Sequence, residues 1–467
     1  MNSYDCTSPI EGVSHIATTA LEMPLRQNGP GKDGTIHDTI VNVMERPAHG
    51  WSLLRILIVG LCSLLNALDG MDIVILSYVA PVLAKDWSLS PERLGMVFSA
   101  SLAGMTLGCL FIAPLADRFG RRPVILSMLT LIMISMMASA FSTSLPELVL
   151  ARFLTGIGIG AMLASMTAVA AEFAPQREKA LAISIMLAGY PLGSVATGMV
   201  AAAILPHHHW QVILLGAGIL SLAILPVVFF ILPESIDFLL RTQPKRALQR
   251  INRIERRLGV AVSTALPPKP SKVDGFVLRS LFDNGRAEAT AALWVGVFMG
   301  FMTLYFALSW ITNLAAQAGL PLESAIYAGA IFNFGAFMGT IAVGRLARDY
   351  GLRRSATIAL GLAAVFLTLF GAVSMPLVPT LLLAMLVGMT IYGGFNAFYG
   401  LAAELYPAAN RSTGVGWAMG IGRFGAVTGP LLGGVLIGQG LSLTMIMAIF
   451  SVPLLIAAFM ASRIRSC

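Results

Sequence analysis

The chain has 467 residues, 57% of them hydrophobic and 12% charged, with a net charge of +8 and a mean hydropathy of +0.80. A soluble domain carries about 25% charged residues, so this chain cannot solvate itself as a globule and lipid is its expected solvent. The positive charge would suit nucleic acid, but its distribution follows a membrane rule instead and excludes that partner.

Residues 1–50 are polar, with Gly29-Pro30-Gly31 and mixed charge. They lack a charged start followed by an apolar core and a cleavage site, so no removable signal peptide is expected. A spanning helix needs roughly 20 apolar residues. Twelve candidate spans follow, near 54–84, 93–116, 123–142, 147–171, 179–204, 211–232, 289–317, 323–344, 355–374, 378–403, 412–437 and 441–461. Six lie on each side of one long polar stretch. The expected organisation is a cytoplasmic tail (1–50), a six-helix bundle (51–234), a cytoplasmic loop (235–288), a second six-helix bundle (289–462) and a cytoplasmic terminus (463–467). With both termini inside, 27 of the 31 Lys and Arg face the cytoplasm, and only Lys85 and Arg93 fall in outer loops. That asymmetry is the positive-inside pattern.

The polar stretch holds Pro233, Pro244 and Pro267-Pro268-Lys269-Pro270. Residues 244–258 combine basic positions with Ala247, Leu248, Ile251, Ile254 and Leu258 on one helical side, which predicts a short helix on the inner membrane surface. An ordinary linker is compatible with the same pattern. Cys6, Cys62, Cys109 and Cys467 have no metal-site spacing, and His207-His208-His209 reads more readily as an exposed loop than as a metal site.

The chain repeats itself. Leu115-Ala116-Asp117-Arg118-Phe119-Gly120-Arg121-Arg122 returns 231 to 232 residues later as Leu346-Ala347-Arg348-Asp349-Tyr350-Gly351-Leu352-Arg353-Arg354. Ala171-Glu172-Phe173-Ala174-Pro175 returns as Ala403-Glu404-Leu405-Tyr406-Pro407. A half-chain repeat in so apolar a protein predicts a transporter, with a site between two similar bundles.

Ionisable residues inside a span are costly and are functional candidates. Four stand out: Asp69, Asp72, Arg152 and Arg423. The three-residue spacing of Asp69 and Asp72 puts both carboxylates near one helical face. Two acids there repel each other and lose hydration, and a proton relieves both, as a proton-coupled carrier requires. A cap on a broken helix or a permanent pair with an arginine is the structural alternative. Arg152 lies at a depth comparable to Asp72, so an Asp72–Arg152 pair is expected, either as a fixed ion pair or as a gate. Arg423 is about ten residues into its span, near the bilayer midplane. Its planar fork suits a carboxylate; a pair with an acid from another helix, such as Asp69, is the alternative. Trp310, Asn313, Asn333, Asn396 and Tyr399 lie at similar depth, with Phe334, Phe395 and Phe398 among them. Trp310, Asn333, Asn396 and Tyr399 are candidate substrate contacts, although packing explains any single one of them. At the inner ends, Asp117 can meet a helix N-terminus while Arg118, Arg121 and Arg122 hold other acids or lipid phosphates. Glu172 and Arg177 can join that cluster, with Glu404 in the second copy. Simple positive-inside anchoring is the alternative.

These motifs resemble those of a known family. The stretch 115–122 resembles the loop between the second and third helices of the major facilitator superfamily, and Arg152-Phe153-Leu154-Thr155-Gly156-Ile157-Gly158-Ile159-Gly160 resembles its fourth helix. Asp69-Gly70-Met71-Asp72 is similar to the first-helix motif of the aromatic acid:proton symporters, which include 4-hydroxybenzoate/protocatechuate transporters. Glu172-Phe173-Ala174-Pro175 with Arg177, Leu232-Pro233-Glu234-Ser235 with Phe238-Leu239, and Gly420-Ile421-Gly422-Arg423-Phe424-Gly425 resemble the same group. The resemblance implies roles for Asp69, Asp72, Asp117, Arg152, Glu172 and Arg423. Three departures stand out. Ala113 replaces a frequent glycine, and the second loop reads Arg348-Asp349 in place of Asp-Arg. A Gly-Pro pattern that drug antiporters carry in their fifth helix falls here at Gly425–Gly434, in the eleventh.

The expected fold is therefore all-α and integral to the membrane, with twelve spans in two pseudo-symmetric bundles. The expected activity is proton-driven import of an aromatic carboxylate of the benzoate or hydroxybenzoate kind by alternating access in a bacterial inner membrane. No cofactor beyond the proton gradient, no metal, no nucleic acid and a monomer are expected. A symporter for another organic acid or a sugar-like solute, an efflux carrier and a membrane substrate sensor are the alternatives. An enzyme is not expected, because no nucleophile motif or His/Cys/Asp cluster has plausible spacing.

Overall fold

In lipid every backbone N–H and C=O must find its partner inside the chain, and a long apolar segment meets that demand by becoming a helix. The computed structural model describes residues 50–175, 178–268, 281–283, 286–372, 376–406 and 411–464. Twelve helices among the described residues are long and apolar enough to cross a membrane. The first six are α1 (Leu53–Asp86), α2 (Pro91–Phe119), α3 (Arg121–Ala140), α4 (Leu145–Phe173), α5 (Lys179–Ile204) and α6 (Gln211–Ile231). Two short helices follow, α7 (Ile236–Thr242) and α8 (Ala247–Leu258). The second six are α9 (Ala287–Gln317), α10 (Leu322–Tyr350), α11 (Leu352–Ala372), α12 (Leu377–Leu405), α13 (Arg411–Gly438) and α14 (Leu443–Arg463). Near its end α2 passes through a π-helical turn at Gly108–Ile112 and a tighter 3-10 turn at Ala113–Leu115. Pro114 accounts for the break, since its ring lacks the donor and crowds the preceding turn.

The sequence repeat becomes a structural one. In the first half α1 packs on α5, α2 on α4 and α3 on α6; in the second, α9 packs on α13, α10 on α12 and α11 on α14. The halves then meet through equivalent helices, α2 with α13 and α5 with α10, and through α1 with α9. Lipid is as apolar as leucine, so helices hold together through close backbone contact. Glycine permits it. A Cβ at Gly104, Gly156 or Gly160 would overlap main-chain oxygens across the α2–α4 seam, and one at Gly335, Gly339 or Gly388 would do the same across α10–α12.

The contacts that join the halves lie at the end away from the basic loops. Gly95 of α2 faces the Pro430 carbonyl and Gly434 of α13. Ser99 Oγ donates to the Val427 carbonyl at 2.8 Å, Ser77 Oγ to Thr312 Oγ1 at 3.4 Å, and the Phe98 ring meets Trp310 edge-on at 5.3 Å. The short helix predicted over 244–258 is present as α8. Ala247, Ile251 and Ile254 of α8 are buried, and the helix packs against α7 and α1. Protein thus covers three of the five stripe residues, while Leu248 and Leu258 stay partly exposed.

The glycine seams give a prediction. Gly156→Ala forces a Cβ into the Ser101 carbonyl and should destabilise the fold by about 1–3 kcal/mol. Gly216→Ala, where nothing lies within 4 Å, should leave the thermal unfolding midpoint of detergent-purified protein unchanged. Equal midpoints for the two variants would remove the seam argument.

Candidate functional site

Helix α1 is fixed in rotation against α5. The Asn66 side-chain amide donates to the Met186 carbonyl at 3.0 Å, and Ser194 Oγ donates to the Gly70 carbonyl at 3.2 Å. A Cβ at Gly70 would overlap the Tyr190 carbonyl, so glycine is what lets α1 come this close. The consequence is that Asp69 and Asp72 point into the bundle. Both are buried, and all four of their carboxyl oxygens lack a hydrogen-bond partner.

Arg152 of α4 is fully buried and does reach Asp72, but not as the sequence led us to expect. Its Nη2 donates to the Asp72 main-chain carbonyl at 2.5 Å, and its Nη1 to Met136 Sδ at 2.8 Å. Among the described residues the carboxylate–guanidinium pairs within 4 Å involve Arg121 and Arg241 only. The expected Asp72–Arg152 ion pair is thus a neighbourhood rather than a bridge. A guanidinium with several donors can satisfy a carbonyl without surrendering the acid.

Across the bundle, Arg423 stands on α13 among aromatic rings. Gly422 beside it packs on Phe301 of α9. Phe301 stacks on Tyr305 with centroids 5.6 Å apart and lies 4.4 Å from Phe395 of α12, which meets Tyr399 edge-on at 6.0 Å. The Arg423 guanidinium lies near the hydroxyls of both Tyr305 and Tyr399. Arg423 has no carboxylate within 4 Å among the described residues, Asp69 included. Tyr399 is 43% exposed although it neighbours Arg423, Tyr305 and Cys109 of α2. A side chain beside three other helices yet still accessible faces open space among them.

The other expected contacts divide. Asn333 of α10 is buried; its amide donates to the Gly329 carbonyl at 2.9 Å and its Oδ1 is unpartnered. The Asn396 amide donates to Thr340 Oγ1 at 2.8 Å. Trp310 is fully buried, and its indole N–H donates to the Pro430 carbonyl at 3.0 Å. With its donor committed and its ring against Phe98, Trp310 seals the end away from the basic loops and does not face a ligand in this state.

At the basic-loop end the first half is tightly knit. Glu172 accepts from Arg121 Nη1 at 2.8 Å, Ser235 Oγ at 2.7 Å and Asp237 N at 3.0 Å, and also from Ile236 N. Glu234 Oε1 accepts from the Arg121 and Arg122 amides at 2.9 and 3.1 Å, holding the start of α3. Asp117 and Arg118 take no part: both are exposed and neither is ion-paired among the described residues. Arg177 lies outside the described residues. In the second half Glu404 is exposed and lines, with Arg348, Arg353 and Arg354, a cavity of about 590 Å³.

The Major Facilitator Superfamily profile matches residues 62–398 and 293–466. The chain belongs to this superfamily. It is a multi-pass membrane transporter and not an enzyme. It is similar to the 4-hydroxybenzoate transporter PcaK of Pseudomonas aeruginosa, at 34% identity over 86% of this chain and 90% of that one. It is equally similar to a gallate transporter of Pseudomonas putida, again at 34% over 86% and 90%. Among solved structures, the xylose transporter XylE from E. coli in a partially occluded inward-open conformation aligns with a TM-score of 0.68 at 18% identity, covering 87% of this chain and 97% of that one.

Within this superfamily member, Glu234 and Asp237 are residues to which sequence reading gave no role. The signal was the run Leu232-Pro233-Glu234-Ser235, an acid just after the sixth span and close to the basic loop ends. The network gives a stability prediction. Glu234→Ala leaves two helix-start amides without an acceptor and should cost about 1–2 kcal/mol. Asp117→Asn, at an exposed unpaired site, should leave the thermal midpoint within error of the parent. A fall for Asp117→Asn alone would reverse the assignment.

Proposed function

We propose that this carrier imports an aromatic carboxylate, of the benzoate or hydroxybenzoate kind, together with protons. It works as a monomer by alternating access across a bacterial inner membrane, with both termini and the basic loops on the cytoplasmic side. The observation that carries the reading is the placement of unlike groups in the two halves: two buried, unpartnered carboxyl groups on α1 and one arginine set among aromatic rings on α13. The names of the PcaK and gallate relatives support the substrate class.

The residues take these roles. Arg423 holds the substrate carboxylate with its planar fork, and the Phe301, Phe395 and Tyr399 rings take the aromatic face. Asn333 on α10 and Asn396 on α12 offer further polar contacts to the substrate. Asp69 and Asp72 carry the proton. A carboxylate buried without a partner is strongly disfavoured when charged, so emptying and refilling these groups shifts the balance between access states. Arg152, one carbonyl away from Asp72, holds the main chain while the side chain titrates. The closed far end and the exposed Asp117 and Arg118 fit an inward-open state. In the opposite state these two, with Arg121, Glu172, Arg177 and Glu404, close the cytoplasmic side.

Asp69→Asn and Asp72→Asn should each lower protonophore-sensitive uptake into vesicles by at least about tenfold, because an amide cannot cycle its charge. Parent-like accumulation in both variants would end the coupling assignment. Arg423→Ala should weaken binding of the acid by roughly 10- to 100-fold, the worth of a charged hydrogen bond. The uncharged amide of the same compound should lose far less, and titration calorimetry on purified protein compares the two. Equal losses would make Arg423 a structural residue.

A further inference from the structure

Buried polar atoms without partners are costly inside a membrane, and each one asks what satisfies it. Between the halves they gather at one place. Asp69 on α1, the Tyr190 hydroxyl on α5 and Asn333 Oδ1 on α10 are all buried and unpartnered. They are neighbours through backbone and side chain. The Tyr190 carbonyl abuts Gly70, the residue after Asp69. The Tyr78 hydroxyl donates to the Ser194 carbonyl at 3.1 Å, one turn beyond Tyr190, and its ring faces Gly329, one turn before Asn333. The hydroxyl of Tyr392 on α12 lies within reach of a weak hydrogen bond from that of Tyr190, short of regular geometry, and the hydroxyl of Tyr305 on α9 lies near both. Tyr305 in turn neighbours Arg423.

The mechanism above uses none of these tyrosine hydroxyls. Packing alone would be served as well by phenylalanine, which leaves no polar atom unsatisfied. A phenol can both donate and accept one neutral hydrogen bond, which suits an uncharged hydroxyl. The cluster also stands across Tyr305 from Arg423, where a ring held by its carboxylate would point its far end.

Resting on the aromatic-acid reading, we propose that Tyr190 is a specificity residue that hydrogen-bonds a hydroxyl on the substrate ring, at the end away from the carboxylate held by Arg423. The carrier thereby selects ring-hydroxylated acids over unsubstituted ones. Sites built to bond a hydroxyl reject analogues that lack it, because the site's own polar group is then left bare. Tyr190 also touches the α1 segment that carries Asp69, so occupancy of this end and the proton site share one wall.

The test is titration calorimetry of the full purified chain with 4-hydroxybenzoate and with benzoate. The parent should prefer 4-hydroxybenzoate by about tenfold or more. Tyr190→Phe should erase most of that preference by weakening 4-hydroxybenzoate, while benzoate changes by less than about twofold. Equal losses for both acids, or no loss for either, would overturn the proposal. If Tyr190→Phe binds neither acid, Tyr392→Phe, in the same cluster, should show a selective loss of 4-hydroxybenzoate, and an unselective one overturns the idea. A parent that binds both acids equally well overturns this inference and leaves the carrier reading standing. A parent that binds neither overturns both.

Discussion

Two carboxyl groups and one guanidinium are buried inside a lipid-embedded bundle without an ion pair among them, and the arrangement of the first half follows from holding them there. Removing a charge from water into low dielectric costs several kcal/mol even after relaxation. A soluble protein would pair them. Here Arg152 bonds to the Asp72 carbonyl and to Met136, which satisfies part of the arginine and leaves the acid unengaged. That separation is achieved by main-chain geometry: Asn66, Gly70 and Ser194 lock α1 onto α5, so the acids cannot swing to a distant partner. An unengaged acid is one whose charge can change without dismantling a salt bridge, which is the property the proposed coupling needs.

The two halves share helix pairing but differ at their basic-loop ends, and the difference has a chemical cause. In the first half Gly120, at a φ of 105°, turns the chain so that the start of α3 presents two amides to Glu234. Glu172 then ties Arg121 to the start of α7. The second half has the same turn at Gly351, with a φ of 81°, but Leu352 stands where the first half has Arg121, and Arg348-Asp349 replaces Asp117-Arg118. Its chain, however, enters α11 directly beside an open cavity lined by Arg348, Arg353, Arg354 and Glu404. The connecting stretch after α6 supplies the acids that close the first site, and the second half has no counterpart of it within the described residues. One half is therefore tied shut upon itself while the other keeps its charges free.

Opening and closing of the carrier is then a question of which seam breaks. At the end away from the basic loops the halves meet through glycine and main-chain oxygen, Gly95 against Pro430 and Ser99 against Val427, with Phe98 on Trp310 as the aromatic plug. Such contacts are weak one by one and depend on close fit. They can part as a unit without exposing a bare buried charge, unlike a salt bridge.

The apolar spans, the half-chain repeat and the charges inside spans were legible from residue order alone, because lipid demands about twenty apolar residues per crossing and tolerates ionisable groups only at a cost. Hence the all-helical twelve-span fold could be read without coordinates, as could the presence of Asp69, Asp72, Arg152 and Arg423 as charges within spans. What the sequence could not state is which atoms meet. The Asp72–Arg152 pair was expected as a bridge and is a carbonyl contact, since side-chain reach depends on the crossing of α1 and α4. Trp310 was expected at a pocket and in this state is buried against Phe98 and bonded to the Pro430 carbonyl, because its depth was legible but its facing was not. The stripe on α8 was read as apolar, and its Ala247, Ile251 and Ile254 are buried where the helix packs on α7 and α1, since periodicity shows that a face is apolar but not what covers it. The gathering of Tyr190, Tyr305 and Tyr392 from three helices far apart in the chain was invisible for the same reason: sequence order fixes what each helix carries, and only the packing of helices decides which of those groups share a space.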